Sequence, residues 1–470
     1  MTGMMGVISK KDAMNTIFYG TDYHSHLGTK YGGIAYVDEQ GNLLKKIHDI
    51  SNSQFKSKFA DELPGIESEM SIGVISDKDP QPLTFLSRFG QYALCMSGLI
   101  LNNEELRENM IQNGCNFAEV YHGDLNQVDL AANIINNGSS IVEGVMELWK
   151  RIEGSASFLI LTPEGIYAAR DRYGISPLVV GERDGEWAVA SESSAFSNLG
   201  FKIFKFIEPG EIVKITPNGM KTVARADGKR KICAFLWIYT GFPCADYEGI
   251  NTEKVRENCG KYLALRDDVE ADLAAGVPDS GTAHAIGYAM EKDIPFRRVL
   301  MKYTPGYGRS YTPLTQKERD RVAQMKLIPN EKTIKENRII LCEDSIVRGT
   351  QLKNYTVTKL REAGAKEVHV RPACPPLMFP CRYMLSTRDK SELVTRRAIK
   401  SLEGRDLEDE ELEEYLDHGS EKYARMVEWI AKDLGLDTLQ YQRLDDMVKA
   451  IGLPEDELCL YCWNGKKVDS

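Results

Sequence analysis

The stretch Arg-Ile-Ile-Leu-Cys-Glu-Asp-Ser-Ile-Val-Arg-Gly-Thr, residues 338–350, decides the fold of the C-terminal half of the chain. Its apolar start is typical of a strand buried on both faces of a parallel sheet. In such a sheet, ligands bind beyond the carboxyl ends of the strands, where backbone N–H groups of the next loop and helix point outward. Residues 345–350, called the phosphate loop below, are therefore predicted to cradle a phosphate group, with Gly349 allowing close backbone approach and Arg348 adding positive charge.

Alternating strand and helix patterns surround this stretch. Such alternation predicts an α/β domain with a parallel sheet, which we assign to residues 231–388. The predicted strands cover residues 271–277, 297–302, 338–342 and 367–371, and the predicted helices cover residues 253–265, 282–291 and 351–363.

The N-terminal half has a different pattern. Short runs of alternating apolar residues, such as 157–162 and 186–190, are separated by Gly, Asp and Asn turns, and helical periodicity occurs only at residues 103–113 and 124–137. This pattern predicts an α+β domain of stacked antiparallel sheets with flanking helices over residues 1–230.

The last part of the chain, residues 389–470, is charged and predominantly helical in pattern. Its apolar residues Tyr423, Val427, Ile430 and Leu434 fall on one helical stripe, which indicates a helix that packs on the rest of the protein. We call this segment the helical extension.

Length and charge limit the possible functions. A chain of 470 residues is long enough for two cores, and its formal net charge of −10, with both signs mixed, excludes a sustained basic face for nucleic acid. There is no apolar run long enough to span a membrane and no apolar stretch typical of a signal peptide. We therefore expect a cytoplasmic protein that binds neither nucleic acid nor membrane.

Two further segments belong to the predicted site. Residues 277–282, Val-Pro-Asp-Ser-Gly-Thr, form a short turn before a helix and are suited to wrapping a diphosphate with backbone donors. Glu343 and Asp344 can hold ribose hydroxyls or a hydrated magnesium ion. The polar residues 302–325 have the composition of a mobile lid. Taken alone, each of these segments is more often structural, because turns before helices and acidic caps are common.

Taken together, residues 343–350, 277–281, 306–309 and 361–370 resemble the glutamine phosphoribosylpyrophosphate amidotransferase family. This family makes phosphoribosylamine from phosphoribosyl pyrophosphate (PRPP), the first committed step of purine synthesis. The resemblance implies a type I phosphoribosyltransferase domain, a Mg²⁺ cofactor held by Ser280, Glu343 and Asp344, and a homo-oligomer. The substrate-binding residues that it implies are Asp279, Ser280, Gly281, Lys302, Lys326, Glu343, Asp344, Ser345, Ile346, Val347, Arg348, Gly349 and Thr350, with Arg309 of the lid as a catalytic residue.

The sequence departs from the family at two places in this site. Glu343 stands where the family has Asp, and the extra methylene keeps the charge but changes the reach toward the ribose diol. In the lid, one residue is added and the family's Asn-Arg pair reads Tyr303-Thr304. Both departures concern how the substrate is clamped.

The N-terminal half resembles the same family in residues 2–7, 26–34, 168–174 and 190–193. The resemblance implies an N-terminal-nucleophile (Ntn) hydrolase fold of the class II glutamine amidotransferase type. In that family, glutamine hydrolysis needs a thiol on the first mature residue. Here that residue is Thr2, a poorer nucleophile than a partly ionised thiol.

Two further polar groups of the family's glutamine pocket are also replaced. The Gly-His-x-Arg block, whose Arg pairs with the glutamine carboxylate, reads Gly73-Val-Ile-Ser76, and the Asn-Gly block of the oxyanion pocket reads Ser97-Gly98. Asp124, at the position that holds the substrate's amino group, is retained. The loss of nucleophile, charge partner and oxyanion donor predicts that PRPP reacts with ammonia and that turnover of glutamine is doubtful. The alternatives are a non-catalytic PRPP sensor or regulatory paralogue, and an ordinary glutamine-dependent enzyme.

The cysteines include one pair with ligand-like spacing. Cys459 and Cys462 form a Cys-x-x-Cys motif, which by itself is typical of zinc binding, redox chemistry or chance. Cys233 and Cys381 stand where one branch of the family places two more ligands, so the resemblance implies a [4Fe–4S] cluster on these four residues. A zinc tetrathiolate is the alternative for the same four thiolates.

Overall fold

The computed structural model describes residues 2–121, 123–225, 228–303, 325–384, 387 and 389–468. The chain forms two compact units. The first unit comprises Met1–Cys233, Cys244–Gly249 and Arg382–Ser386, and the second comprises Ala234–Pro243, Ile250–Cys381 and Thr387–Ser470. The division into three domains at residues 230 and 388 remains a prediction.

The first unit is built on two antiparallel sheets. One sheet has seven strands in the order β13-β11-β12-β1-β4-β2-β3, and the other has six in the order β15-β14-β10-β9-β6-β5. The strands of this part of the chain are β1 (Thr2–Ile8), β2 (Tyr31–Val37), β3 (Leu43–Asp49), β4 (Met70–Ser76), β5 (Leu83–Ser87), β6 (Gly90–Ile100), β7 (Val120–Tyr121), β8 (Asp124–Leu125), β9 (Gly154–Thr162), β10 (Gly165–Ala169), β11 (Val179–Arg183), β12 (Glu186–Ala190), β13 (Lys202–Phe206), β14 (Ile212–Thr216), β15 (Gly219–Ala224), β16 (Ile232–Cys233) and β17 (Asp246–Tyr247).

The two sheets pack face to face, and helices cover their outer faces. In β1, Met4 and Ile8 point into the core between the sheets, while Met5 and Val7 point to the opposite face, as the two-residue period of a strand requires. The fold is thus an α–β–β–α sandwich, which confirms the predicted stacked antiparallel sheets. The helices are Ala13–Asp22, Phe55–Phe59, Asn103–Gln112, Gln127–Ile135, Ile141–Arg151 and Phe196–Leu199.

One predicted helix of this unit is shorter than expected. The periodicity predicts a helix over residues 124–137, but the helix begins at Gln127. The side chain of Asn126 caps it by accepting a hydrogen bond from the Val128 N–H. Asp124 and Leu125 instead pair with Val120–Tyr121 in a short hairpin.

The second unit contains the predicted parallel sheet, with strand order β19-β22-β23-β24. The strands of this part of the chain are β18 (Ile250–Asn251), β19 (Leu273–Gly276), β20 (Leu300–Lys302), β21 (Leu327–Pro329), β22 (Arg338–Glu343), β23 (Glu367–Pro372), β24 (Thr438–Leu439) and β25 (Leu458–Cys459). The helices are Thr252–Leu265, Thr282–Lys292, Glu331–Ile334, Thr358–Glu362, Val394–Glu403, Glu413–Leu416, Glu421–Leu434, Leu444–Ile451 and Tyr461–Asn464, with π-helical turns at Leu236–Thr240 and Leu352–Val357.

The predicted strand 297–302 is wrong as a member of the parallel sheet. Phe296 forms a parallel bridge to Ala274 of β19, the Arg297 N–H donates to the Ala274 carbonyl at 2.9 Å, and the chain then leaves the sheet. The next two residues are Arg297 and Arg298, both exposed, and a parallel sheet covered on both faces has no place for two adjacent arginines. Residues Leu300–Lys302 pair instead with Leu327–Pro329, in antiparallel orientation.

The helical extension packs on the sheet and also adds to it. Met426, Ile430 and Leu434 form the buried stripe of the helix Glu421–Leu434, close to the predicted stripe. Thr438–Leu439 pairs in parallel with β23, although the pattern predicts only helices here. Two residues are too few for a strand period to be recognised. No helix of the described residues is both long and apolar enough to cross a membrane.

Candidate functional site

The phosphate loop follows strand β22 directly and precedes the wide helical turn Leu352–Val357. Its residues 345–350 donate no backbone N–H hydrogen bond to any other described residue. Gly349 has φ of +73°, a left-handed conformation that favours glycine. A run of unpaired N–H groups beside a helix N-terminus is an anion-binding arrangement.

Two carboxylates lie at the entry of this loop. Asp344 is only 5% exposed and accepts a hydrogen bond of 2.5 Å from the Ser345 hydroxyl. Burial raises the pKa of Glu343 well above its ordinary value, and the neighbouring charge of Asp344 raises it further. Two adjacent carboxyl groups that repel each other in a partly buried place are stabilised by a cation.

The predicted diphosphate turn lies beside this loop. Strands β19 and β22 are parallel neighbours, with Gly276 in register with Cys342. After the strand, the Val277 N–H donates to the Cys342 carbonyl at 3.0 Å. A Cβ on Gly281 would come within 2.4 Å of that same carbonyl, so only glycine fits this close approach. The half-buried Ser280 therefore lies at the same sheet edge as Glu343 and Asp344.

Two of the predicted cationic residues, Lys302 and Lys326, lie among the described residues. Lys302 forms an ion pair with Asp279, with 2.8 Å between Nζ and Oδ2. Lys326 adjoins strand β21, and its carbonyl accepts a hydrogen bond of 2.7 Å from the Tyr303 N–H. Arg309 lies outside the described residues, and its catalytic role remains a prediction.

The oxygen donors of Ser280, Glu343 and Asp344 fit a hard cation such as Mg²⁺. Among the described residues, no group of three or more His, Cys, Asp or Glu side chains is arranged to hold a metal ion. Mg²⁺ in phosphoryl and pyrophosphate chemistry is commonly held by one or two carboxylates, substrate oxygens and water, which is the donor set that Glu343 and Asp344 offer.

A pocket separate from the phosphate loop lies in the first unit, where strand β1 begins. Strand pairing places Thr2 opposite Ser76, and the Ser97 hydroxyl donates to the Thr2 carbonyl at 3.1 Å. The three substituted positions are thus brought together, as the resemblance implies. We call this site the Thr2 pocket, and its lining residues are Thr2, Ser76, Lys78, Asp79, Gln81, Met96, Ser97, Gly98 and Met384.

Polar groups of the Thr2 pocket are hydrogen-bonded within the fold. The Ser76 hydroxyl accepts from the Lys78 N–H at 3.2 Å. The side chain of Gln81 accepts from the Met96 N–H at 2.8 Å and donates to the Met96 carbonyl at 3.2 Å. Burial raises the pKa of the Asp79 carboxyl, with Lys78 acting in the opposite direction. The Ser76 hydroxyl and the Gln81 amide are thus both hydrogen-bonded to backbone groups of the first unit.

The Thr2 pocket differs from the expectation in two members. Asp124 is exposed and does not line it, although its charge acts on Asp79. Met384, a buried residue of the segment Arg382–Ser386, does line it and was not predicted. No local pattern could have identified a residue so distant in sequence from Thr2.

A buried carboxylate supports the same unit. Glu192 is fully buried and accepts hydrogen bonds from His26 Nε2 at 3.1 Å, from the Tyr247 hydroxyl at 2.9 Å and from the Ser194 hydroxyl. Burial alone would raise the pKa of Glu192, but His26, His24 and the Ser194 hydrogen bond outweigh it and lower the pKa to about 2. Glu192 is therefore an anion held by its donors.

The predicted cluster cysteines lie on short segments near the end of the chain and at the unit boundary. Cys459 closes strand β25, and its carbonyl accepts from the N–H of Ala234, the residue after Cys233, at 3.4 Å. The Cys462 carbonyl accepts from Met378 at 2.9 Å and from Phe379 at 3.1 Å, just before Cys381. Backbone hydrogen bonds thus join residues near Cys233 and Cys381 to the Cys-x-x-Cys motif, although no three Cys side chains of the described residues are arranged to hold a metal ion.

Known proteins match this chain over nearly its whole length. A family model described as "Glutamine amidotransferase domain" matches residues 67–198. The amidophosphoribosyltransferase of Synechocystis sp. is 30% identical over 475 residues, which cover 99% of this chain and 90% of that protein. The chain belongs to the amidophosphoribosyltransferase family. It is accordingly an enzyme of the pentosyltransferase class.

Other members of the amidophosphoribosyltransferase family agree with this assignment. The Bacillus subtilis enzyme is 29% identical over 480 residues, covering 99% of this chain and 93% of that protein. A solved structure of the glutamine PRPP amidotransferase from B. subtilis, complexed with ADP and GMP, has a TM-score of 0.84 at 29% identity and covers 99% of this chain and 98% of that chain. The predicted fold class, an Ntn-type antiparallel sandwich followed by a parallel-sheet domain, is confirmed.

Proposed function

We propose that this enzyme transfers the phosphoribosyl group of PRPP to ammonia, forming phosphoribosylamine for purine synthesis, and that it makes little use of glutamine. In this reaction, the nitrogen lone pair forms the new bond to C1 of the ribose while the bond from C1 to the pyrophosphate oxygen breaks. The extra proton on nitrogen passes to solvent, and pyrophosphate leaves.

The observation that carries the proposal is the set of unpaired N–H groups of residues 345–350 beside the carboxylates of Glu343 and Asp344. These N–H groups would hold the 5′-phosphate, and the two carboxylates would orient the ribose diol. The turn around Ser280 would face the diphosphate with its backbone donors. Bound Mg²⁺, held by Ser280, Glu343 and Asp344, would supply the charge neutralisation that makes pyrophosphate a good leaving group.

The Thr2 pocket supports ammonia rather than glutamine as the nitrogen donor. It presents a hydroxyl where a thiol is needed, and Ser76 and Ser97 replace the groups that would pair with the carboxylate and the oxyanion of glutamine. Ser76 and Gln81 are also engaged with backbone groups of the fold. Glutamine would therefore find neither a strong nucleophile nor its usual charge partner.

The iron–sulfur branch of the family is the second part of the proposal. Cys233, Cys381, Cys459 and Cys462 would hold a [4Fe–4S] cluster, and the backbone hydrogen bonds around Cys459 and Cys462 support this assignment. The cluster would tie the C-terminal segment to the predicted phosphoribosyltransferase domain of residues 231–388, and its role would be structural.

A comparison of nitrogen donors tests the proposed function. Anaerobically purified enzyme is given Mg²⁺ and PRPP with either ammonium or glutamine, and pyrophosphate release is followed beside a direct measurement of PRPP binding. We expect release with ammonium and little with glutamine. Efficient release with glutamine would overturn the choice of donor, and PRPP binding without release would establish the non-catalytic sensor instead.

A further inference from the structure

The helical extension donates hydrogen bonds to backbone carbonyls of the phosphate loop. The Val394 N–H donates to the Val347 carbonyl at 2.7 Å, and Arg397 Nη2 donates to the Arg348 carbonyl at 2.6 Å. Val394 is the first residue of the helix Val394–Glu403, where an N–H has no partner inside the helix. The helix start is therefore completed by the loop.

The Arg348 side chain is attached to the same extension. Its guanidinium Nη2 pairs with the Glu392 carboxylate, in the turn that leads into the helix. The side chains are 62% and 29% exposed, respectively. An arginine that is paired with a carboxylate offers a phosphate much less net charge than a free one.

Apolar side chains of the extension cover the glycine of the loop. A Cβ on Gly349 would lie 2.9 Å from Leu434 Cδ2 and 3.6 Å from Val394 Cγ2. Lys353, just after the loop, pairs with Asp433 at 2.9 Å. The rear face of the loop is thus packed against two helices.

These contacts fix the direction of the loop's N–H groups. In a trans peptide, the C=O and N–H bonds point in opposite directions. Holding the carbonyls of Val347 and Arg348 on the extension therefore aims the N–H groups of Arg348 and Gly349 away from it. A cradle whose donors are already aimed loses less entropy when an anion binds.

We propose that Arg348 and Glu392 form an anchor between the phosphate loop and the helical extension, so that backbone N–H groups rather than the Arg348 guanidinium contact the phosphate of PRPP. This inference rests on the proposed PRPP site. Arg348 and Glu392 are then positioning residues, and the predicted direct contact of Arg348 with phosphate is replaced by an indirect one.

Kinetics of matched variants test the anchor. Arg348→Met, Glu392→Gln, the double variant and the control Asp406→Asn are assayed for pyrophosphate release at saturating ammonium. Asp406 pairs with Lys400 on the same extension, at 2.9 Å, and lies outside the loop. We expect each single change to raise the KM for PRPP by about fivefold, with kcat nearly unchanged and the double variant no worse than either single one, because both break one interaction.

Three kinetic outcomes would overturn the anchor. A loss about 100-fold or larger for Arg348→Met with little effect of Glu392→Gln would mean that Arg348 binds the phosphate itself. A lower KM for Glu392→Gln would mean that Glu392 competes with the substrate for Arg348. Values equal to those of Asp406→Asn would mean that the pair has no role.

Hydrogen exchange separates failure of the anchor from failure of the proposed function. In the protein without ligand, the amides of Val394 and Lys353, which donate to the Val347 and Gly349 carbonyls of the loop, are expected to exchange faster in both Arg348→Met and Glu392→Gln than in the control. Unchanged exchange would overturn the anchor. If the unaltered protein neither binds PRPP nor releases pyrophosphate, the proposed function fails, while the exchange result still decides whether the anchor exists.

Discussion

The Thr2 pocket and the phosphate loop both lie at strand ends, but they differ in whether their polar groups are hydrogen-bonded within the protein. In the Thr2 pocket, the Ser97 hydroxyl bonds the Thr2 carbonyl and Gln81 bonds Met96 twice. In the phosphate loop, the N–H groups of residues 345–350 have no partner among the described residues. The donors of the phosphate loop are therefore available to a ligand, whereas these groups of the Thr2 pocket are hydrogen-bonded within the first unit.

The largest expected effect comes from the carboxylate beside the phosphate loop. Asp344→Asn removes a buried charge proposed to hold the ribose and Mg²⁺, so we expect ammonium-dependent pyrophosphate release to fall at least about 100-fold. The matched control is Asp272→Asn, which breaks a surface pair with Arg338 in the same unit. Equal activities of the two variants would contradict the proposed site.

The next largest expected effect is loss of iron, which depends on neither the phosphate loop nor the Thr2 pocket. Cys459→Ser and Cys462→Ser are each expected to remove the iron and inorganic sulfide from anaerobically purified protein, because each would take away one of four ligands. Cys115→Ser should keep the full content. Zinc in place of iron in the unaltered protein would favour the tetrathiolate alternative.

A smaller effect concerns the carboxylate that supports the first unit. Because the pKa of Glu192 is lowered to about 2, its charge stabilises the folded state above pH about 4.5, and this stabilisation is lost as the pH falls toward 2. Glu192→Gln should lower the free energy of unfolding by about 1 to 3 kcal/mol at pH 7, the range for hydrogen bonds to a charged group. Urea unfolding at several pH values should show the difference shrinking in acid, whereas the exposed Glu105→Gln should show none.

The smallest effect is expected at Thr2 itself. In the proposed reaction with ammonia the Thr2 pocket takes no part, so Thr2→Ala should change ammonium-dependent release by less than about twofold. Thr2→Cys should not create glutamine use, because Ser76 and Ser97 still stand where the resemblance places the Arg and Asn of the glutamine pocket. A large loss with Thr2→Ala would mean that the two sites are coupled.

The sequence predicted those features that depend on local pattern. Strand β22 was recognised because residues 339–342 are continuously apolar, and the meeting of Thr2, Ser76 and Ser97 followed from motifs of a known family. The prediction that residues 297–302 belong to the parallel sheet was wrong. It relied on the apolar residues of this segment and neglected the free energy needed to bury Arg297 and Arg298 in a covered sheet.

Features made by distant segments had no local signal. Met384 reaches the Thr2 pocket from a segment far along the chain, and Glu392 reaches Arg348 from the helical extension. Each is an ordinary residue in its own neighbourhood. Only the folded chain reveals that the extension closes the rear of the phosphate loop.

The position of strand β1 has a practical consequence for purification. Thr2 opens this strand, which lies between β12 and β4 in the interior of the seven-stranded sheet, and it also lines the Thr2 pocket. A tag fused ahead of Thr2 would be attached directly to a residue that lines this pocket. Untagged or C-terminally tagged protein is therefore the material with which a negative result for glutamine has meaning.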